Sequence, residues 1–182
     1  MTKHFPAIAI SLALIGCSQP AGEPDAVGAA LLKPFKAELK EALVAGMQEG
    51  PAAAIEICSD KAPEIAASLS VEDVVMGRSS HKLRNPANTP PDWLEPMMAK
   101  WAETGTRADD VGAVGGAAVK LAGDRYGYAE PIFTQPLCLV CHGETLAPEI
   151  AAQIAAQYPE DQATGFADGD LRGVFWVEFP TD

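Results

Sequence analysis

Cysteine is scarce in this chain: four residues in 182. That is too few for a disulfide-built scaffold, which spaces them densely along a short secreted sequence. Histidine is scarcer still, at three, so a zinc site assembled from two Cys/His pairs cannot be completed. Cations are outnumbered, with 13 Lys and Arg against 25 Asp and Glu and a formal net charge of −12. Such a surface excludes nucleic acid and anionic lipid headgroups as natural partners and suits a basic protein. No apolar run is long enough to cross a bilayer comfortably. An internal repeat is also missing, which excludes solenoids and propellers.

What is present begins with Cys138-Leu139-Val140-Cys141-His142, a C-x-x-C-H run and the attachment pattern of a c-type haem. The chemistry needs that spacing. Two thiols add across the two haem vinyl groups as thioethers, and the following imidazole becomes the proximal iron ligand. Gly143 then lets the backbone pass close to the porphyrin edge. Without the histidine the motif reads as a redox dithiol or half a zinc site, and the chain has no second pair to finish the latter.

The beginning of the chain points the same way. Lys3, an apolar run from Phe5 to Ile15 and the sequence Leu14-Ile15-Gly16-Cys17 have the parts of a secretory leader. The ending resembles a bacterial lipobox, in which Cys17 receives a diacylglycerol and becomes the mature N-terminus. An ordinary leader with an incidental cysteine is the alternative. Ser18 resembles the residue of lipoproteins sent on to the outer membrane. Acyl chains contribute ~0.8 kcal/mol per buried CH2 to such an anchor. The expected organisation is a leader over 1–16, a lipidated tether over 17–28 and one folded domain over 29–182. Removing 16 residues from 182 leaves 166, one domain's worth. Export to the periplasmic side suits haem c, which bacteria attach outside the cytoplasm.

One cysteine is then left over. Cys58 is a lone thiol in an oxidising compartment, where such residues are normally lost, paired or protected. Leu32, Phe35, Leu39, Leu43 and Met47 recur at helical steps, and Gly50-Pro51 breaks the pattern. Ile55, Cys58, Ala62, Ile65 and Leu69 form a second helical stripe, which places Cys58 on the buried face. Pro63 is expected to kink or restart that helix just past Cys58. Strands are expected over 71–76, 117–121, 125–133 and 171–179, and helices over 93–103 and 147–157. The order argues for an α+β fold with N-terminal helices and a largely antiparallel sheet.

A haem iron with one protein ligand either stays open or takes a second side chain, which tunes its potential strongly. The candidates are His81, Met47, Met76, Met97, Met98 and Cys58, since His4 leaves with the leader. A methionine on a helical stripe is more often core filler, and His81 lies in a cationic loop. Cys58 would donate as a thiolate, stabilise ferric iron and lower the potential. Core packing is its alternative. Arg78, Lys82 and Arg84 are candidate partners for the two haem propionates, which are costly to bury unpaired. Arg172 can do the same or pair with Asp170. A solvated basic loop is the other reading of these cations.

Several segments together resemble a known family. They are Ala54-Ile55-Glu56-Ile57-Cys58 with Ala62-Pro63-Glu64-Ile65-Ala66, Gly77-Arg78-Ser79-Ser80 with Lys82 to Asn88, and the Cys138–Gly143 motif. Tyr158-Pro159, Ala163-Thr164-Gly165-Phe166 and Gly169-Asp170-Leu171-Arg172-Gly173 complete the set. They are similar to the PAS-like c-type haem domain, formerly a domain of unknown function, from about Leu31 onward. The resemblance implies one covalent haem c with His142 as proximal and Cys58 as distal ligand, and a redox-sensing role.

Two classes of function follow from these readings. One is a periplasm-facing lipoprotein cytochrome that senses redox state or a diatomic gas, or that carries single electrons to a partner, possibly basic. In its sensing form Cys58 leaves the iron on reduction. The other is a haem enzyme, a peroxidase or small-gas reductase, which needs an open distal site with a general base.

Overall fold

The computed structural model describes residues 22–104 and 114–181. Helix α1 spans Glu23–Glu49, with Pro24 in its first turn and Glu23 and Asp25 beside the positive end of its dipole. The tether expected over 17–28 is therefore helical from Glu23 onward. The Asp25 carboxylate explains the early start, because it accepts the Gly22 amide at 3.1 Å and reaches out to the Ala118 amide at 2.7 Å. Gly50 closes the helix at φ 122°, a conformation natural only to glycine. Helix α2, Pro51–Leu69, folds back from there. It runs without interruption through Pro63, so the expected restart past Cys58 does not occur.

Four strands follow: β1 Val75–Ser79, β2 Ala117–Leu121, β3 Arg125–Phe133 and β4 Leu171–Pro180. They form one antiparallel sheet in the order β1-β4-β3-β2. The β2–β3 hairpin turns at Gly123 and Asp124, both at positive φ. The first strand lies further along the chain than the expected 71–76. Ser70 at the end of α2 accepts the Met76 amide at 3.1 Å, which folds the intervening residues into a turn and leaves Val71 exposed. Pairing of Met76 with Val177 then sets the register.

Alternation along β4 divides the core between two faces. Val177 and Phe179 meet Leu32, Phe35 and Leu39 of α1 on one side. Val174 and Leu171 meet Leu94, Met98 and Trp101 on the other, where a short 3-10 turn, Asp92–Leu94, leads into helix α3, Glu95–Thr104. Leu43, expected on the core stripe, is exposed, because the buried face of α1 turns to α2 at Gly46 and Ala54. The architecture is α+β, helices packed on an antiparallel sheet.

A third apolar cluster lies away from the sheet and positions the site. Helix α4 is the short Leu139–His142 and α5 is Pro148–Gln157. Ile150, Ile154 and Tyr158, on α5 and just beyond it, pack with Ile55 of α2, and Cys141 and Leu146 join them. Residues 134–170, between β3 and β4, are thereby docked against α2.

Candidate functional site

Residues 138–143 are held in place by a loop that follows α5. The Phe166 amide donates to the His142 carbonyl at 3.0 Å and the Gly165 amide to the Gly143 carbonyl at 3.0 Å. The His142 ring is held as well, with Nδ1 at 2.7 Å from the Ala163 carbonyl. A carbonyl only accepts, so Nδ1 carries the proton and Nε2 the lone pair. Burial holds the His142 pKa far below its ordinary value, at about 2, with help from Arg172, Arg84 and Arg78 and against the Ala163 bond. The imidazole is neutral and able to ligate a metal at any physiological pH.

Two further thiols lie within electrostatic reach of Cys141, the residue before His142. Cys58, Cys138 and Cys141 are free of disulfides. Burial raises the Cys141 thiol above its usual pKa, Arg84 opposes this, and the nearby Cys58 and Cys138 add to it. Cys58 is half-buried, and it also raises the Tyr158 hydroxyl, second to burial itself. Ile55 and Cys58 are three apart and so share a face of α2; the Ile55 cluster with α5 therefore brings Cys58 to the motif. Beside the thiols, Leu137 and Val140 are apolar and exposed.

Cations surround the ring. Arg172 Nε lies 3.2 Å from both nitrogens of His142. Burial and the nearby Arg78 and Arg84 lower the Arg172 pKa to about 9, against Asp161 and Cys138. Lys82 donates to the Thr164 carbonyl at 3.3 Å and stands 4.7 Å above the Phe166 ring. Arg84 pairs with Asp161, Nε to Oδ1 at 3.0 Å, and its Nη2 donates to the carbonyls of Cys141 at 2.6 Å and Ala163 at 3.2 Å.

The sequence-based candidates thus separate. Cys58, Cys138, Cys141, His142, Arg78, Arg84 and Arg172 share one neighbourhood, and Lys82 borders it through Phe166. His81 packs edge-on against Phe166 at 5.8 Å, the same ring that carries His142 at 6.2 Å. Met76 and Met98 are core residues of the two sheet faces, and Met97 packs beside Met98's cluster. Cys17 and the leader lie outside the described residues. Asp161, Ala163 and Phe166 were not assigned roles from sequence. Asp161 had no local signal at all, because its partners are distant in the chain.

Among the described residues, no three His, Cys, Asp or Glu side chains are grouped to hold a metal ion, so a direct Cys/His polyhedron is not formed. A haem fits: a neutral imidazole whose Nε2 is faced only by the Arg172 side chain, unpaired thiols at the required spacing, uncovered apolar residues beside them and half-buried cations for its carboxylates.

A family model described as Tll0287-like, Tll0287, matches residues 21–180. Among solved structures, the chain is similar to the one titled "Crystal structure of the cyanobacterial heme-protein Tll0287". The two are 22% identical with a TM-score of 0.60, over 88% of this chain and 98% of that one. At that identity the likeness shows a shared fold. No curated protein matches.

Proposed function

Since the chain belongs to the Tll0287-like family, we propose that it is a mono-haem c-type cytochrome with a PAS-like domain. One haem c is held covalently by Cys138 and Cys141, with His142 as proximal and Cys58 as distal iron ligand. The observation that carries this reading is that unpaired Cys58 of α2 lies within electrostatic reach of Cys141, directly before a neutral histidine anchored through Nδ1. The solved structure of a protein titled a heme-protein, with the same fold, adds to it.

A bound haem supplies a one-electron redox centre. The residues around it do the rest. His142 presents Nε2, and its Nδ1–H bond to Ala163 raises the basicity of that nitrogen. Cys58 donates as thiolate and favours the ferric state. Arg172 turns from His142 toward a propionate, joined by Arg78, and Lys82 supplies further charge from beside Phe166. Arg84 is the weakest of the propionate candidates, because Asp161 and two carbonyls already engage it. Leu137 and Val140 gain a cover in the porphyrin.

In this reading the leader over 1–16 is removed and Cys17 is lipidated. The domain then faces the periplasm, on the outer rather than the inner membrane. It acts as a redox or ligand sensor or as a single-electron carrier with a basic partner. The haem-enzyme alternative is less supported. His81, the other histidine among the described residues, packs on the ring that carries His142 and not beside Cys58.

The test is a denaturing mass spectrum of protein made with a c-type haem attachment system. The expected species is one haem heavier than the mature chain, and Cys138→Ala with Cys141→Ala loses it. An unmodified wild-type chain overturns the proposal.

A further inference from the structure

We propose that the Arg84–Asp161 ion pair is a positioning device for His142, fixing the Ala163 peptide that holds the imidazole and so setting the ring's orientation toward the iron. The inference rests on the haem reading above and deepens it.

The pair grips the backbone of one residue, Ala163, from both sides. Asp161 Oδ1 accepts the Ala163 amide at 2.8 Å and Arg84 Nε at 3.0 Å, and Oδ2 accepts Arg84 Nη2 at 3.2 Å. The Ala163 carbonyl accepts Arg84 Nη2 at 3.2 Å and faces His142 Nδ1 at 2.7 Å. The same Nη2 reaches the Cys141 carbonyl at 2.6 Å, immediately before the ligand. Arg84 therefore ties the backbone that carries His142 to the backbone that orients its ring. Neighbouring bonds restrict the loop further, with the Gln162 amide donating to the Leu83 carbonyl at 2.8 Å.

Burial gives these contacts their weight. The two side chains are only 11% and 9% exposed, and Ala163 is fully buried. A buried ion pair is often no more stabilising than apolar packing, whereas its geometry is strict. A bidentate guanidinium–carboxylate pair has one orientation, which a lysine cannot reproduce. Arg84 also draws on the same carbonyl lone pairs as His142, so the pair governs the strength of the Nδ1 bond as well as its direction. Outer contacts of this kind tune a metal-ligating histidine.

The test compares Asp161→Ala, Asp161→Asn and Arg84→Lys with wild type in the full chain. Asparagine removes the charge but keeps an oxygen for the Ala163 amide; alanine removes both. In haem-loaded protein, the ferric EPR g-values are expected to shift in Asp161→Ala and Arg84→Lys and to return toward wild type in Asp161→Asn. In the haem-free chain, hydrogen exchange at the Ala163 amide is expected to quicken about tenfold in Asp161→Ala but not in Asp161→Asn. That is the lower end of the factor for losing one hydrogen bond to a charged group. Wild-type spectra in all three would overturn the proposal, and so would equal shifts for Ala and Asn with wild-type g-values in Arg84→Lys, which is a charge effect at Asp161 alone. Should Asp161→Ala fail to fold, wild-type g-values in Arg84→Lys overturn it equally. A wild-type chain without covalent haem refutes the haem reading instead, while amide exchange still decides whether the clamp exists.

Discussion

Cys58 on α2 lies within electrostatic reach of Cys141 in the C-x-x-C-H motif. Ile55, one turn earlier on the same face, brings it there by packing with Ile150 and Ile154 of α5, a cluster that Cys141 also joins. A thiol with no disulfide partner is thus delivered to the two thiols of the motif. The functional reading depends on that relationship.

Ligand exchange is the first. Pro63 lacks the amide that would bond the Ser59 carbonyl, so α2 is missing a backbone hydrogen bond one residue past Cys58. A thiolate also binds ferrous iron less well than ferric. Reduction under CO is therefore expected to give the spectrum of a CO adduct within seconds to minutes. A reduced protein that stays six-coordinate and ignores CO contradicts the sensing form of the proposal.

Anchoring is tested at Cys17. Cys17→Ser is expected to move the protein from the membrane fraction to the soluble fraction, still carrying haem. Wild-type protein already soluble after export would remove the lipid from the account.

Packing of the fold is tested far from the site. A Cβ on Gly28 of α1 would lie 2.3 Å from both Cβ and Cγ of Tyr128, which is itself buried. Gly28→Ala is therefore expected to lower stability by about 1–3 kcal/mol in denaturant unfolding. The haem spectrum should not change. An unaltered midpoint would mean that α1 does not seat on the sheet at this point.

His81 gives a pH signature. Solvent reaches this ring, which keeps the effect small, yet partial burial, then Lys82 and Arg172, lower its pKa below 6.5, and Asp170 only partly offsets them. The unfolded chain keeps the ordinary value of about 6.5. Below that value the unfolded state binds a proton that the folded state refuses, so the contribution to stability is present above pH 6.5 and is lost as pH falls. NMR should place the His81 midpoint below 6.5, and His81→Asn should reduce the acid-side slope of stability. A midpoint at or above 6.5 contradicts the packing described.

The fold was legible where periodicity and turns were strong. β2 and β3 fall where the alternation and the Gly123-Asp124 turn put them, and α1 and α2 meet at Gly50-Pro51 as that pair requires. β1 was misplaced because Val71 to Met76 is apolar enough to read as a strand. Its true start depends on a contact from Ser70 and on pairing with β4, neither visible locally. Pro63 suggested a break, yet neighbouring bonds and the packing of Ile55 and Ala62 keep α2 continuous.

The candidate site was legible wherever residue type and spacing alone mark a position. Cysteine counting isolated Cys58, and motif spacing isolated Cys138, Cys141 and His142. Arg84 was legible as a cation but not as a clamp. Its partner Asp161 is one acid among 25 Asp and Glu, and only the fold brings it to Ala163.

The most direct test of the central claim is the ferric EPR spectrum of haem-loaded wild type beside Cys58→Ala. The account predicts a low-spin thiolate signal in wild type that disappears in the variant, with covalent haem retained in both. The same spectrum from both proteins would make Cys58 a packing residue and contradict His142/Cys58 ligation.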